Sequence, residues 1–170
     1  MNYRFATTSD LPKVNHLMWR YLCEQEASGS PVRATKHTLD AYRDLARAYL
    51  AGGMFGVVVL AEKSLGDPVG FALAGEDVGR LRYDTTLGKV AFVWLIWVTY
   101  EFRKSGTALG MLTFGRPRLL ELGFETASMS VRENNPEGQA LTLAYGGVLA
   151  EREYLFALSG TPAHLQPPKE

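Results

Sequence analysis

AFVWLIWVTYEFRKSGTALGML, residues 91–112, joins an apolar segment to a basic turn with a glycine and then to a helical pattern. The apolar run at residues 91–98 predicts a central strand covered on both faces rather than an edge strand. At a turn from a strand into a helix, several backbone N–H groups have no partner, and the helix dipole adds positive charge. The stretch therefore predicts a sheet whose central strand leads into an anion-binding turn.

The turn after the apolar run has the chemistry of a phosphate site. Its six residues are Arg103, Lys104, Ser105, Gly106, Thr107 and Ala108. Two of them are cations, Gly106 lets a ligand approach the backbone closely, and Ala108 leaves room where a larger side chain would block it. These properties indicate phosphate or pyrophosphate binding, and the alternative is an ordinary helix start with two solvated cations. Neither a Walker loop nor G-x-G-x-x-G occurs, so the sequence excludes those two nucleotide motifs.

Length and composition predict one globular domain. A chain of 170 residues has enough apolar surface for one core, and with 46% hydrophobic and 21% charged residues it is too apolar for intrinsic disorder. The 18 basic residues balance the 18 acidic ones, which argues against autonomous binding to nucleic acid or to an anionic membrane. A local basic site is still compatible with this balance.

Cysteine and histidine usage argues against a metal centre. Cys23 is the only cysteine, which excludes an intramolecular disulfide and a cysteine cluster and fits a reducing compartment. His16, His37 and His164 lie far apart, without metal-ligand spacing. The first residues lack an apolar signal core, and no stretch approaches the roughly 18 apolar residues of a membrane span. We therefore expect a cytoplasmic protein with no membrane partner.

Hydrophobic periodicity predicts the element order β α α β β β α β α β. Helices are predicted over residues 11–27, around 39–49, over 105–122 and over 136–145. Strands are predicted over residues 3–6, 55–62, 69–76, 89–98 and 125–131, with a last strand or tight hairpin over 148–158. This order indicates an α/β (α+β) domain over residues 1–160, with a mixed, mostly antiparallel sheet, helices on both faces and a flexible tail at 161–170. Pro117 predicts a kink or a break of the third helix near Arg116.

The turn and its context resemble a known family. The stretch VTYEFRKSGTA, residues 98–108, resembles the signature [Q/R]-x-x-G-x-[G/A] that follows an apolar strand in the GNAT superfamily of acyl-CoA N-acyltransferases. The element order matches that family over nearly the whole chain, from RFAT and DLP near the start to Gly146-Gly147 near the end. The resemblance implies a single GNAT-like domain that uses acetyl-CoA as its cosubstrate and needs no metal.

The resemblance also implies where the cofactor lies. The pyrophosphate of coenzyme A is expected on the backbone amides of residues 103–108. The pantetheine arm is expected to pair like an extra strand near Val98, in a gap where the central strand splays from the strand at 125–131. Asn135 falls where the family often has an asparagine that contacts the cofactor, and Asn134 is a near alternative.

The resemblance further implies direct acetyl transfer to a primary amine in a ternary complex. The N–H of Val98 is expected to polarise the thioester carbonyl. The tyrosine that often protonates the leaving thiolate aligns with Thr142, and Tyr145 lies one helical turn later. The start of the central strand carries no carboxylate, so Glu76 and Asp77 are the candidate bases, unless bulk water suffices. Each of these side chains has an ordinary alternative as a packing or solvated residue.

Two groups of residues are candidates for an acceptor pocket. On a regular strand Trp94 and Trp97 point to opposite faces, while Phe92, Trp94 and Ile96 share one face, which predicts a partly aromatic pocket or core packing. The loop before the central strand adds candidates for an anionic or planar acceptor, or an ordinary charged loop: Arg80, Arg82 and Tyr83.

Three functions are compatible with these features. The first is an acetyl-CoA-dependent N-acetyltransferase acting on a small-molecule or peptide amine. The second is a coenzyme A-binding module without transferase activity, because two catalytic positions of the family are not filled. The third is an acyltransferase that modifies a macromolecule. The last β segment could pair between chains to form a homodimer.

Overall fold

The structure, a computed structural model, describes residues 1–30, 32–76 and 88–148. Several predictions fall outside these ranges. They concern the candidate base Asp77, the loop residues Arg80, Arg82 and Tyr83, the last strand or tight hairpin predicted over 148–158 apart from its first residue, the domain end at 160 and the tail at 161–170.

Five strands and four helices are found in the described residues. The strands are β1 Asn2–Phe5, β2 Gly56–Ser64, β3 Asp67–Gly75, β4 Val90–Val98 and β5 Thr126–Ser128. The helices are α1 Leu11–Ala27, α2 Lys36–Leu50, α3 Thr107–Glu121 and α4 Pro136–Ala144. Their order agrees with the order predicted for this part of the chain.

The five strands form one sheet in the order β1-β2-β3-β4-β5. The first three pairings are antiparallel, whereas β4 and β5 are parallel and are connected by α3. Ser64 and Asp67 close the hairpin between β2 and β3, and Gly66 adopts the left-handed conformation that its tight turn requires. The predicted mixed, mostly antiparallel sheet with one crossover is therefore confirmed.

Helices cover both faces of the sheet, as predicted. One core lies beneath α1 and α2 and includes Met18, Tyr49 and Phe71. The other lies beneath α3 and includes Val59 and Met111. Alternate residues of β2 and β3 enter the two cores, because side chains along a strand point to opposite faces. Each fully buried large apolar side chain stabilises the fold by roughly 1.5–3 kcal/mol.

A β-bulge interrupts the pairing of β4 with β3. Leu73 pairs with Leu95, but the next residue, Ala74, pairs with Val93. Trp94 is therefore the extra residue, without a partner on β3. A bulge of this kind shifts the alternation of side chains along the strand by one position.

The bulge changes which face the aromatic residues of β4 occupy. Trp94 and Trp97 both pack with the core beneath α1 and α2, so the prediction that they point to opposite faces is wrong. Ile96 packs with the core beneath α3, so it does not share a face with Trp94. Of the two residues predicted to share a face with Trp94, only Phe92 contacts it, with 4.8 Å between the ring centroids in an edge-to-face arrangement. Phe92, Trp94 and Ile96 therefore do not share one face, so they do not form the aromatic pocket that regular alternation predicts.

A kink or a break was predicted near Arg116; helix α3 runs through Pro117, so the break does not occur. A proline removes the hydrogen bond to the carbonyl four residues earlier, here Thr113. Both residues lie on the exposed side of α3, where water can solvate that carbonyl.

An ion-pair cluster fixes the first strand to the start of α1. Arg4 donates to both carboxylate oxygens of Asp10, at 2.7 and 2.8 Å, and to Glu62 at 2.9 Å. Asp10 also accepts the backbone N–H of Thr7 at 2.9 Å. Arg4 of the RFAT segment and Asp10 of the DLP segment therefore hold β1, β2 and the start of α1 together.

Candidate cofactor and acceptor site

An open sheet edge lies along the second half of β4. Strand β5 pairs only with the first three residues of β4, up to the pair between Phe92 and Ser128. Beyond Phe92, β5 has ended, and no strand of the described residues pairs with this edge of β4. The splay expected between the central strand and the next one is present.

Backbone groups of Val98 and Ile96 point toward this open edge. Thr99 donates its N–H to Val69 on β3 at 2.8 Å. Because the direction of backbone groups alternates along an antiparallel strand, the N–H and C=O of Val98 and Ile96 face away from β3. Val98 was predicted from the sequence, whereas Ile96 was not. The direction in which these backbone groups point depends on how β4 pairs with β3 after the bulge, which the sequence does not give.

The turn that follows β4 exposes backbone donors. After a single 3-10 turn at Tyr100–Phe102, Lys104 and Gly106 adopt positive φ values of 58° and 81°. The first backbone hydrogen bond of α3 runs from the N–H of Gly110 to the C=O of Gly106, at 2.8 Å. The N–H groups of residues 107–109 therefore have no acceptor within the helix. We call residues 104–109 the cradle.

The cradle has room for a ligand at its backbone. A Cβ atom placed on Gly106 would meet no other atom within 4 Å. Lys104 is 81% exposed, and its Nζ lies 3.3 Å from the carboxylate of Glu137, an exposed pair of small energetic value. Free N–H groups, open space at a glycine and an available cation are features that fit the diphosphate of coenzyme A.

The backbone N–H and the guanidinium of Arg103 have other partners in this structure than the predicted anion. Its backbone N–H, predicted as a phosphate donor, instead donates to Tyr100 at 3.2 Å. Its guanidinium, predicted as a cation for the anion, donates from Nε to the carbonyl of Val98 at 3.0 Å. The same guanidinium donates from Nη2 to both carboxylate oxygens of Glu24, at 2.6 and 2.5 Å. The cradle therefore begins at Lys104.

The hydroxyl groups of the turn stabilise its conformation. Ser105 Oγ donates to the carbonyl of Phe102 at 2.7 Å and lies 2.7 Å from Oγ1 of Thr107. Thr107 is buried. Both residues, together with Ala108, therefore offer backbone rather than side-chain groups to a ligand.

Asn135 lies at the N-terminus of α4, where its side chain has a structural use. Its Oδ1 accepts the backbone N–H of Gly138 at 2.9 Å, as is typical of a helix N-cap. Because Glu137 in the same turn contacts Lys104, the start of α4 lies beside the cradle. The structure thus brings Asn135 close to the predicted cofactor residues.

The two predicted proton donors on α4 already donate hydrogen bonds. Thr142 Oγ1 donates to the carbonyl of Gly138 at 2.9 Å, within the same helix. Tyr145 donates from its hydroxyl to the carbonyl of Leu112 on α3, at 3.2 Å. Burial raises the pKa of Tyr145, and the nearby Arg116 partly opposes this effect. Tyr145 therefore keeps its proton throughout the neutral range.

Glu76 lies toward the opposite end of β4 from the cradle. Its neighbour Gly75 pairs with Phe92, six residues from Val98, which corresponds to about 20 Å along a strand. The carbonyl of Glu76 accepts from the hydroxyl of Tyr49 at 2.7 Å. The structure does not bring Glu76 together with Val98.

A cluster around Glu24 was not predicted from the sequence. Glu24 on α1 accepts from Nε1 of Trp97 at 3.0 Å in addition to Arg103. The guanidinium of Arg20 lies 5.3 Å from the centroid of the Trp97 ring. These partners lie 73 and 79 residues from Glu24, so no local motif marks the cluster.

The described residues offer no candidate metal centre and no membrane-spanning helix. No group of three or more His, Cys, Asp or Glu side chains is placed to hold a metal ion there. None of the helices in these ranges combines the length and the apolar character that crossing a bilayer requires.

Comparisons with known proteins identify the fold. No protein-family model and no curated protein matches the sequence. Solved structures do match the fold. The chain is similar to AAC(6')-Iy in complex with the bisubstrate analogue CoA-S-monomethyl-acetylneamine, with TM-score 0.70, 18% identity, and coverage of 92% of this chain and 96% of that one.

Two further structures show the same likeness. One is aminoglycoside 6'-N-acetyltransferase AAC(6')-IG from Acinetobacter haemolyticus, with TM-score 0.67, 17% identity, and 92% and 97% of the two chains covered. The other is aminoglycoside acetyltransferase meta-AAC0020 from an uncultured soil metagenomic sample, in complex with sisomicin, with TM-score 0.65, 15% identity, and 94% and 96% covered. The chain therefore has the fold of N-acetyltransferases, which confirms the predicted GNAT-like architecture.

Proposed function

We propose that this chain is an acetyl-CoA-dependent N-acetyltransferase that acts on a primary amine by direct attack in a ternary complex. The observation that carries the proposal is the continuity of the open edge of β4 with the cradle at the start of α3. A ligand with a strand-like arm and a diphosphate matches both features at once. The likeness to AAC(6')-Iy, which was also solved with CoA, supports the same ligand.

In this proposal the cradle binds the diphosphate. Its donors are the N–H groups of residues 107–109 and the Lys104 ammonium, and the dipole of α3 adds roughly half a positive charge. Val98 and Ile96 offer backbone groups to the pantetheine arm, and Asn135 borders it. When bound, acetyl-CoA supplies an activated acetyl thioester.

The chain supplies electrostatic help at the open edge of β4. An N–H of Val98 or Ile96 is oriented to donate to an oxyanion beside this edge. One such donor typically stabilises a transition state by about 2.7 to 4 kcal/mol. The bulge at Trp94 separates this part of β4 from the part that pairs with β5, and so keeps the two donors accessible.

Proton transfers involve side chains around the gap. Tyr145 is the proposed acid for the leaving thiolate, because burial keeps it protonated, and Thr142 is the alternative. A lysine-like amine with a pKa near 10.4 costs roughly 4.6 kcal/mol to deprotonate at pH 7. Bulk water would accept that proton, because Glu76 lies about 20 Å from Val98 along the sheet.

Turnover tests the proposal. Thiol release from acetyl-CoA is measured with a panel of small primary amines, and we expect release that depends on one or more of them. Absence of release across the panel, despite measurable binding of coenzyme A, would contradict transferase activity.

A second function, a coenzyme A-binding module without transfer, is favoured by one observation. Both hydroxyl candidates, Thr142 and Tyr145, already donate to backbone carbonyls, so neither is free to protonate a thiolate without a rearrangement. Binding without thiol release is the result that this alternative predicts.

The same proposal includes the kind of amine acceptor, the cellular location and the oligomeric state. A small-molecule amine is the first choice, because the structures of similar fold include aminoglycoside acetyltransferases, and a peptide amine is the second. A cytoplasmic location and a homodimer also belong to the proposal. Size measurement in solution tests the dimer, with a monomer mass as the contradicting result.

A further inference from the structure

The guanidinium of Arg103 connects three elements at the open edge of β4. Its Nε donates to the carbonyl of Val98 at 3.0 Å, and its Nη2 donates to Glu24 on α1. The rings of Trp97 and Tyr100 lie 6.0 and 5.8 Å from its central carbon. Only 24% of the Arg103 side chain is exposed, so the surrounding groups restrict its position.

This arrangement occupies a backbone group that a strand-like ligand needs. The carbonyl of Val98 faces the open edge, and it already accepts a hydrogen bond from Arg103. A ligand that pairs with β4 at this position competes with Nε of Arg103 for this carbonyl. Because Arg103 directly precedes the cradle, a diphosphate bound there offers the displaced guanidinium a new anionic partner.

Glu24 then loses its charged partner but keeps its orientation. The indole N–H of Trp97 still holds one carboxylate oxygen. The Glu24 side chain is 41% exposed, on the side of β4 that faces α1 and α2, opposite the side covered by α3. A carboxylate left without its cation beside the thioester position attracts an ammonium group, since an unpaired, partly buried charge is unfavourable.

We propose that Glu24 binds the ammonium group of the amine acceptor, and that Arg103 masks Glu24 until the cofactor draws Arg103 to its diphosphate. This inference rests on the proposed function, because it requires coenzyme A in the cradle. It makes the order of binding a consequence of one exchange of ion pairs: cofactor first, amine second. Glu24 has a cationic partner before the cofactor binds and again once the amine has bound.

Calorimetric titration with coenzyme A tests the masking. Because Glu24→Gln weakens the pair that holds Arg103 away from the cradle, the variant should bind coenzyme A about three- to tenfold more tightly than the parent chain. Glu26→Gln is the matched control: it lies on the same helix and removes an exposed pair with Arg33, so its affinity should equal that of the parent. Glu24→Gln should also raise the KM for the amine at saturating acetyl-CoA.

A measurement on the unaltered chain gives a second test. The Nε–H resonance of Arg103 should shift when coenzyme A saturates the protein, because its bond to Val98 is lost. An unchanged resonance, or equal or weaker binding of coenzyme A by Glu24→Gln, would overturn the inference while leaving the cradle intact. No binding of coenzyme A by the parent chain would instead refute the proposed function, and this inference with it.

Discussion

At the residue scale, the pairing of Arg4 with Asp10 makes stability depend on pH. Hydrogen bonds from Arg4 hold the pKa of the Asp10 carboxyl well below its ordinary value, against the raising effect of burial. A carboxyl with a depressed pKa in the folded state stabilises the fold above its unfolded pKa, near 3.9, and this contribution is lost as the pH falls further. Acid should therefore weaken the attachment of β1 to α1.

Asp10→Asn tests this dependence. The substitution should lower the free energy of unfolding by about 2 to 3 kcal/mol at pH 7, less than for a fully buried pair because Arg4 is partly exposed. The loss relative to the parent should shrink as the pH falls from 5 toward 2. Urea titrations across this range measure it. Asp44→Asn, which removes an exposed pair with Arg47, should change the stability by at most about 0.5 kcal/mol, and a pH-independent loss in Asp10→Asn would contradict the assignment.

Lys104 combines a strained backbone with a cation whose ion pair to Glu137 is exposed. Its φ of 58° is in the left-handed region, which asparagine tolerates better than lysine does. Lys104→Asn should therefore leave the melting temperature unchanged or higher. The same change should weaken coenzyme A binding about three- to fivefold at low salt, with a smaller difference at high salt, because it removes one phosphate contact.

Calorimetry at two salt concentrations checks the Lys104 prediction. Lys63→Asn removes another exposed, paired lysine, at the β2–β3 hairpin, and should not affect the affinity for coenzyme A. Equal losses in the two variants would indicate a general effect of net charge rather than a contact in the cradle.

At the element scale, Tyr145 connects α4 to α3 and is also the proposed acid. Tyr145→Phe should lower the stability by about 1 kcal/mol through loss of the bond to Leu112. It should lower kcat about 100-fold with little change in the KM for acetyl-CoA, because general acid catalysis is lost. Thr142→Val is the comparison, with kcat near that of the parent. Steady-state kinetics that show an unchanged kcat for Tyr145→Phe would restrict the residue to its structural role.

Elements with local signals were predictable from the sequence. The limits of α1 follow from the Thr-Ser-Asp start with its proline and from apolar spacing, and the structure has this helix over Leu11–Ala27. The bulge at Trp94 was not predictable, because a bulge depends on how β3 pairs with β4 and leaves no mark in an all-apolar strand. The continuity of α3 through Pro117 was not predictable, because the cost of a proline depends on exposure, which the helical pattern alone does not give.

At the scale of the whole molecule, the proposed cofactor site follows from a local segment, whereas the proposed acceptor site depends on contacts between distant segments. The cradle is a continuous segment, so its conformational needs are visible in the order of its residues. The Glu24 cluster depends on the fold that brings α1, the end of β4 and the following turn together. The proposed diphosphate site could therefore be predicted from the sequence, whereas the proposed acceptor side around Glu24 could be inferred only from the three-dimensional structure.

The proposed function requires the cradle at the start of α3 to bind the diphosphate of coenzyme A. Calorimetric titration of coenzyme A into the parent chain, Gly106→Glu and Gly123→Glu tests it most directly. Both glycines have φ values above 80°, and neither would place a Cβ within 4 Å of another atom, so the two substitutions carry similar backbone strain. The account predicts binding by the parent and by Gly123→Glu, and no binding by Gly106→Glu, whose carboxylate lies in the cradle. No heat with the parent chain, or equal affinity in all three proteins, would contradict it.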